Sequence, residues 1–293
     1  MNATEIFAHH RPLLFTLAYE ILGSAADAED VVQDSYLRWI KADEVTYPHA
    51  YLVQIVTRGA LNALRTSKRR REDYVGSWLP EPIQTTPDVS EDAILAESVS
   101  MAMLLVLETL SPDERVVFVL NEVFGFSHPE IARVLGKSDA TVRQIAHRAR
   151  EHVQARRRRF TPDAHLARTT VTTFLHAAHT GDIDGLIAVL APEVVALSDG
   201  GGYVSAARRP IVGPQRVAQF MAGLAQGSMA GFDISFDSYN SLPAVLFSRA
   251  GALDSVLLIE VTDGLISALY AMRNPDKLRN ATTTRTVIRS LED

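Results

Sequence analysis

Residues 127–150, SHPEIARVLGKSDATVRQIAHRAR, decide how the first half of this chain folds. Ser127 followed three residues later by Glu130 has the spacing of a capping box, and Pro129 suits a first helical turn, so a short helix is predicted from His128 to Leu135. Gly136-Lys137-Ser138 then makes a tight turn, and a longer helix is predicted from about Asp139. Two helices joined by a short turn containing glycine outline a helix-turn-helix. Ile131, Ala132, Leu135, Val142, Ile145, Ala146 and Ala149 fall on the side that must pack together. Thr141, Arg143, Gln144, His147 and Arg148 are left on the opposite side of the second helix. Such a set suits the DNA major groove, where Arg pairs with guanine O6 and N7, Gln with adenine, and Thr with bases or phosphate. Arg150 and Arg156 to Arg159 are better placed for phosphates, which add affinity without sequence information. The bland alternative is an amphipathic helical hairpin with a charged outer face.

Upstream, Ser111-Pro112-Asp113-Glu114 repeats the cap and predicts a helix to about Glu122, closed near Gly125. Residues 4 to 72 read as further helices: Ile6, Leu13, Leu14, Leu17 and Ile21 recur at helical spacing, Gly23 ends that pattern, and Val31, Val32, Tyr36 and Leu37 begin another. A third helix, Pro48 to Arg70, turns Tyr51, Leu52, Ile55, Val56, Leu61 and Leu64 inward. Residues 73–90, DYVGSWLPEPIQTTPDVS, hold three prolines and a glycine and read as a linker with a stiff WLPEP segment. Downstream, helical stretches near 165–179 and 182–190 give way to runs at 244–248, 255–262 and 265–272 that favour strands, with Asp263-Gly264 as a hairpin turn. The expected architecture is multidomain: two all-α domains, 1–72 and 91–160, joined by the 73–90 linker, then an α+β domain over 165–293.

The net charge of −6 hides a strong asymmetry. Residues 65–71 carry five positive charges and no negative one, and residues 143–159 carry seven arginines against Glu151 alone, whereas 72–114 hold ten acidic residues and no Lys or Arg. Two basic islands flanking an acidic stretch suggest two nucleic-acid contacts on one chain, although solvated helix faces also read this way. The chain has no cysteine, which excludes a disulfide framework and a thiolate metal site and fits a cytoplasmic setting. There is no run of eighteen apolar residues and no signal-peptide pattern, so no membrane association is expected. No metal site and no cofactor are read from the sequence.

The segment from Asp27 to Trp39, DAEDVVQDSYLRW, resembles region 2.2 of extracytoplasmic-function (ECF) sigma factors. That resemblance implies a transcription-initiation function with RNA polymerase core and promoter DNA as partners. It places Asp27, Glu29, Asp30, Gln33, Asp34 and Leu37 against the β′ clamp helices. Ala50 to Arg71 then corresponds to the regions that open and read the minus-10 element, through Arg58, Asn62, Arg65, Lys68, Arg69 and Arg70. Ser111 to Arg159 corresponds to region 4, which reads the minus-35 element through Thr141, Arg143, Gln144, His147 and Arg148 and meets the β flap. Many members carry Trp where this chain has Tyr51, and Asn and Asp where it has Arg58 and Asn62, so its promoter is not copied from a relative.

Tyr74 to Pro82 (YVGSWLPEP), Asp199-Gly200-Gly201-Gly202 and Asn274-Pro275-Asp276-Lys277-Leu278 look like the sigma subgroup with a fused SnoaL-like domain, a cone-shaped α+β fold. There the extension stands in for a separate anti-sigma protein, and the last two segments are implicated in control. Tyr203 follows the glycines where the subgroup leads one to expect Lys. Three glycines after a strand allow positive φ and close backbone approach, and they match no phosphate loop. Because the glycine and NPDKL turns otherwise lack a partner, the domain is expected to contact the linker or the first domain. SnoaL-like relatives include enzymes, which makes His176, His179, Asp199 and Asp237 alternative acid-base candidates and the cone a candidate ligand site, but fold analogy does not establish chemistry. A third reading, a helix-turn-helix regulator with a ligand-sensing domain, lacks an account of the region 2-like segment.

Overall fold

Asn2, Ser24, Asp92, Ser100 and Ser111 each cap a helix start by accepting a hydrogen bond from the backbone of its first turn. The computed structural model describes residues 2–42, 44–85, 92–156, 164–228 and 231–291, with the backbone alone for 68–72, 164–166 and 226–228. Helix α1 (Ala3–Leu22) opens on an Asn2/Glu5 capping box and closes at Gly23 in the left-handed conformation, φ 65°. Ser24 caps α2 (Ala25–Trp39), and α3 (Pro48–Glu72) packs on both. Leu14, Leu17, Val32, Leu52 and Val56 are buried where the three helices meet.

Next come α4 (Ala93–Ser98), α5 (Met101–Glu108) and α6 (Pro112–Phe118), the last opened by the Ser111/Glu114 box. The helix expected to run unbroken to Glu122 instead changes to a π-helical turn at Val119–Val123. Helices α7 (His128–Leu135) and α8 (Asp139–Arg156) flank Gly136, φ 65°, and form the helix-turn-helix.

In the rest of the chain come α9 (Ala164–Thr180), α10 (Ile183–Val189) and β2 (Leu190–Asp199), then β3 (Ile211–Val212) and α11 (Pro214–Ser228). Strands β4 (Asp233–Tyr239), β5 (Leu242–Arg249), β6 (Ala252–Thr262) and β7 (Leu265–Met272) follow, and α12 (Pro275–Leu278) ends the domain. The strands order as β3-β2-β7-β6-β5-β4, and β1 (Gln84–Thr85), from the linker, adds to the β4 edge. The β2–β7 pair is parallel and the other neighbours are antiparallel. Asp263-Gly264 forms the expected two-residue hairpin turn with both φ angles positive; Asn240-Ser241 and Ala250-Gly251 do the same. Phe174, Leu186, Val217, Val245, Ile259 and Leu269 share one core between helices and sheet.

Two compact units result, and they do not follow chain order. One comprises Met1–Asp73, Asp88–Arg158 and Thr284–Asp293; the other comprises Tyr74–Pro87 and Arg159–Thr283. Where 73–90 was expected as a separate linker and the α+β domain to run to 293, Tyr74–Pro87 groups with the second unit and Thr284–Asp293 with the first. The physical reason lies in the contacts. Linker residues pair with the β4 strand, while in the tail Arg285 pairs with Glu29, the Ile288 amide donates to Thr16 Oγ1 at 3.0 Å, and Arg289 pairs with Asp92.

In the first unit the Glu20 carboxyl is completely buried. Glu20 on α1 accepts from Ser98 Oγ at 2.7 Å and its second oxygen meets no hydrogen-bond partner. Burial pushes this carboxyl up to about 8, against the lowering effects of Ser98 and Arg115. The folded form therefore binds a proton that the unfolded chain releases above its ordinary pKa, so stability falls as pH rises from about 5 to 8, by about 1 kcal/mol per pH unit. Thermal melts of Glu20→Gln should be nearly flat over that range while the parent's Tm declines; parallel curves would contradict a protonated Glu20.

Candidate nucleic-acid interface and linker clasp

The recognition face expected on α8 is open. Val142, Ile145, Ala146, Ala149 and Val153 are buried, and Ile131, Ala132 and Val134 of α7 pack with them, which turns Thr141, Arg143, Gln144, His147 and Arg148 outward. Arg143 pairs with Asp139 one turn back, and His147 faces Glu151 at 3.3 Å. Both contacts are exposed, so they hold the side chains loosely and DNA phosphates or bases can replace them. Arg156 is exposed; Arg157, Arg158 and Arg159 lie outside the described residues.

Helix α2 shows Asp30, Gln33, Asp34 and Leu37 to solvent, and Asp27 is half-buried near its capped start. Glu29 differs from the others because Arg11 at 2.6 Å and the tail's Arg285 both engage it. On α3, Arg58 Nε donates to the Val134 carbonyl of α7 at 2.8 Å. Arg65 pairs with Asp113 at 2.8 Å, and Lys137 reaches the same carboxylate at 3.0 Å. Burial alone would raise the Asp113 carboxyl, but Lys137 and Arg65 more than offset it and hold it below the usual carboxylate range. Two arginines expected to face minus-10 DNA are thus occupied by the helix-turn-helix half of the unit. Asn62 is exposed, and the side chains of Lys68, Arg69 and Arg70 lie outside the described residues.

In the second unit the glycine and NPDKL segments meet each other and the linker. Strand β2 delivers Asp199 to a fully buried position. Its Oδ1 accepts from Tyr74 OH at 2.5 Å and from the Gly201 amide at 3.0 Å; its Oδ2 accepts from the Leu79 amide at 2.9 Å and Lys277 Nζ at 2.8 Å. Lys277 also donates to the Leu79 carbonyl, and its ammonium lies 4.2 Å from the Trp78 ring centre and 5.0 Å from that of Tyr74. Asn274 caps α12 by accepting from the Asp276 amide, with Pro275 in the first turn, while its Nδ2 donates to Tyr74 OH at 2.7 Å. Leu278 is buried beneath, and Asp276 pairs outward with Arg279. Burial and the bond to Asp199 push the Tyr74 phenol well above its ordinary range.

The glycines supply clearance. A Cβ on Gly201, φ 62°, would overlap the Asn274 carboxamide, one on Gly200 would overlap the Val204 carbonyl, and one on Gly202 would come within 3.3 Å of Val75. Tyr203 is 70% exposed, so the departure from Lys leaves the clasp intact. Further along, the Ile83 amide donates to Asn240 Oδ1 at 3.1 Å, the Asn240 amide returns a bond to the Ile83 carbonyl at 3.0 Å, and Gln84 Nε2 donates to Asp237 at 2.6 Å. Sequence reasoning quoted Tyr74, Trp78 and Leu79 without assigning them partners, and it missed Asn240, Gln84 and the tail arginines. The Asn-Ser turn at 240–241 was the available signal for the first.

The acid-base candidates do not converge. His176 is exposed, His179 faces a cavity, Asp237 holds Gln84, and Asp199 is surrounded by four donors. Among the described residues no helix is long and apolar enough to cross a membrane.

Family models for "Sigma-70 region 2" match residues 6–70 and for "Sigma-70, region 4" residues 100–153. The chain is 38% identical over 282 residues to the ECF RNA polymerase sigma factor SigJ of Mycobacterium tuberculosis, covering 91% of this chain and 90% of that protein. It is 30% identical to the probable ECF sigma factor SigI of the same species over 92% of each. The crystal structure of M. tuberculosis SigJ superposes with a TM-score of 0.76 at 33% identity, covering 96% of this chain and 99% of that one.

Removing one partner of a buried ion pair leaves the other uncompensated and costs about 3–5 kcal/mol. Asp199→Ala should therefore lower the unfolding free energy of the second unit by that amount in denaturant titration, and Gly201→Ala by roughly 1–2 kcal/mol through its left-handed backbone alone. Tyr74→Phe should cost about 1 kcal/mol. A neutral Asp199→Ala would contradict the clasp.

Proposed function

This chain belongs to the extracytoplasmic-function sigma factors, and we propose that its SnoaL-like domain regulates promoter-directed initiation in cis by holding the linker between the two sigma domains. As a sigma factor it binds RNA polymerase core and directs it to specific promoters. In this reading Asp30, Gln33, Asp34 and Leu37 of α2 form the polymerase-facing surface, joined by Asp27 and by Glu29 once Arg285 leaves it. Thr141, Arg143, Gln144, His147 and Arg148 read the minus-35 element. Arg58, Asn62, Arg65 and the basic run Lys68-Arg69-Arg70 act at the minus-10 element.

The observation that carries the proposal is the fully buried Asp199 carboxylate, which takes two of its four bonds from the linker, at Tyr74 and Leu79. A linker bound this way is withdrawn from any path through the polymerase. The occupied Arg58 and Arg65 point in the same direction: in the free factor two minus-10 side chains are engaged by region 4. Engagement with core requires both sets of contacts to open, and joining two DNA-binding domains on one chain then multiplies their affinities through effective concentration. In this reading the C-terminal domain acts by binding: Asp199 has both oxygens committed to the clasp and Asp237 holds Gln84. The SnoaL-like domain takes the place of a separate anti-sigma protein, and the protein works in the cytoplasm.

Run-off transcription on fragmented genomic DNA with core polymerase tests this. The full chain should yield discrete start sites sharing minus-35 and minus-10 elements. Arg143→Ala with Gln144→Ala should abolish them, whereas Lys277→Ala and the milder Tyr74→Phe should raise the initial rate severalfold at limiting factor. Starts that appear normally but ignore both clasp substitutions would overturn the regulatory reading.

A further inference from the structure

A cavity of about 290 Å³ opens inside the second unit between α9, α11 and the concave face of the sheet. Interiors are normally packed without voids of this size. Phe174, Phe220, Phe247 and Val245 line its body, and Phe236 and Ile234, 65% and 45% exposed, stand at β4 as an apolar rim. Apart from His179 on α9, the polar lining gathers at one end. Ser198 pairs with Ala271, and Val256 with Met272, so Ser198, Asp254, Ser255 and Arg273 share the end where β2 and β7 finish and β6 begins.

We propose that this cavity binds a neutral, largely apolar small molecule carrying one hydroxyl or carbonyl oxygen, and that its occupancy is sensed by the linker clasp. Arg273 Nη2 already faces Asp254 Oδ2 at 3.4 Å. A carboxylate entering there meets Asp254 and an ammonium meets Arg273, whereas a hydroxyl accepts from one and donates to the other. The volume suits on the order of fifteen non-hydrogen atoms, near the small end of ligand sites. The route to the clasp is one residue long on each strand. Ser198 precedes Asp199, Arg273 precedes Asn274, the Arg273 amide donates to the Asp199 carbonyl at 2.7 Å, and Arg273 Nη1 holds the Ser205 carbonyl beyond the glycines at 2.6 Å. The coupling rests on the cis-regulatory reading above; the binding site does not.

Isothermal titration of the full chain with 2-naphthol, 2-naphthoate and 2-(aminomethyl)naphthalene separates body from head group. The expected result is one 2-naphthol site, with the charged analogues at least tenfold weaker, and loss of binding in Ala271→Phe, which fills the cavity. Leu224→Arg, at a partly exposed lining position, serves if the first variant melts early. No 2-naphthol binding, equal binding of all three, or binding unaffected by both substitutions would overturn the site. For the coupling, chymotryptic cutting after Trp78 is followed with and without 2-naphthol, and a change of threefold or more is expected. If Lys277→Ala speeds cutting but bound 2-naphthol does not change it, the coupling is wrong and the clasp stands. If Lys277→Ala itself has no effect, it is the clasp that fails.

Discussion

An ammonium and a carboxylate withdrawn from water need every hydrogen bond around them, and in the second unit the linker supplies part of that requirement. Lys277 and Asp199 are 8% and 0% exposed and lie 2.8 Å apart. A buried pair of this kind adds little net stability compared with apolar packing, but breaking it is expensive. Without the linker, Asp199 loses the Tyr74 hydroxyl and the Leu79 amide, and Lys277 loses the Leu79 carbonyl and two aromatic faces. The domain and the linker are therefore satisfied together or not at all. Linkage makes this reciprocal: whatever draws the linker away weakens the pair, and whatever strengthens the pair retains the linker.

The second hold differs in kind. Gln84–Thr85 adds a short strand to the edge of β4, flanked by a backbone bond at Ile83 and side-chain bonds through Asn240 and Gln84. An open sheet edge is a template for pairing, and here the chain's own linker occupies part of it. Pro80-Glu81-Pro82 separates the two holds, and its prolines keep the segment extended without demanding amide partners.

Much of this was legible in the sequence. The starts of α6 and α7 and the turn into α8 follow from Ser-Pro-x-Glu and Ser-x-Pro-Glu caps and from Gly136, because these signals are local and physically specific. The outward set on α8 follows from periodicity. What periodicity could not supply was the partner of each buried polar group. The DGGG and NPDKL segments read as turns, and only the three-dimensional approach of the glycines to Asn274 and to Val75 of the linker reveals why they must lack side chains. The return of Arg285 and Arg289 to the first unit was invisible for the same reason: a pair of charges 256 residues apart, as Arg285 and Glu29 are, leaves no pattern in one sequence. Arg58 and Arg65 were identified by charge, but their occupation by Val134 and Asp113 depends on how helices pack.

Hydrogen exchange at the linker amides tests the central claim most directly. In the free full-length protein the Leu79 amide, buried against Asp199, should exchange orders of magnitude more slowly than an unstructured amide, and addition of core polymerase should release it. Exchange of Leu79 at the unprotected rate in the free protein, or undiminished protection in the core complex, would contradict a clasp that holds the linker until initiation begins.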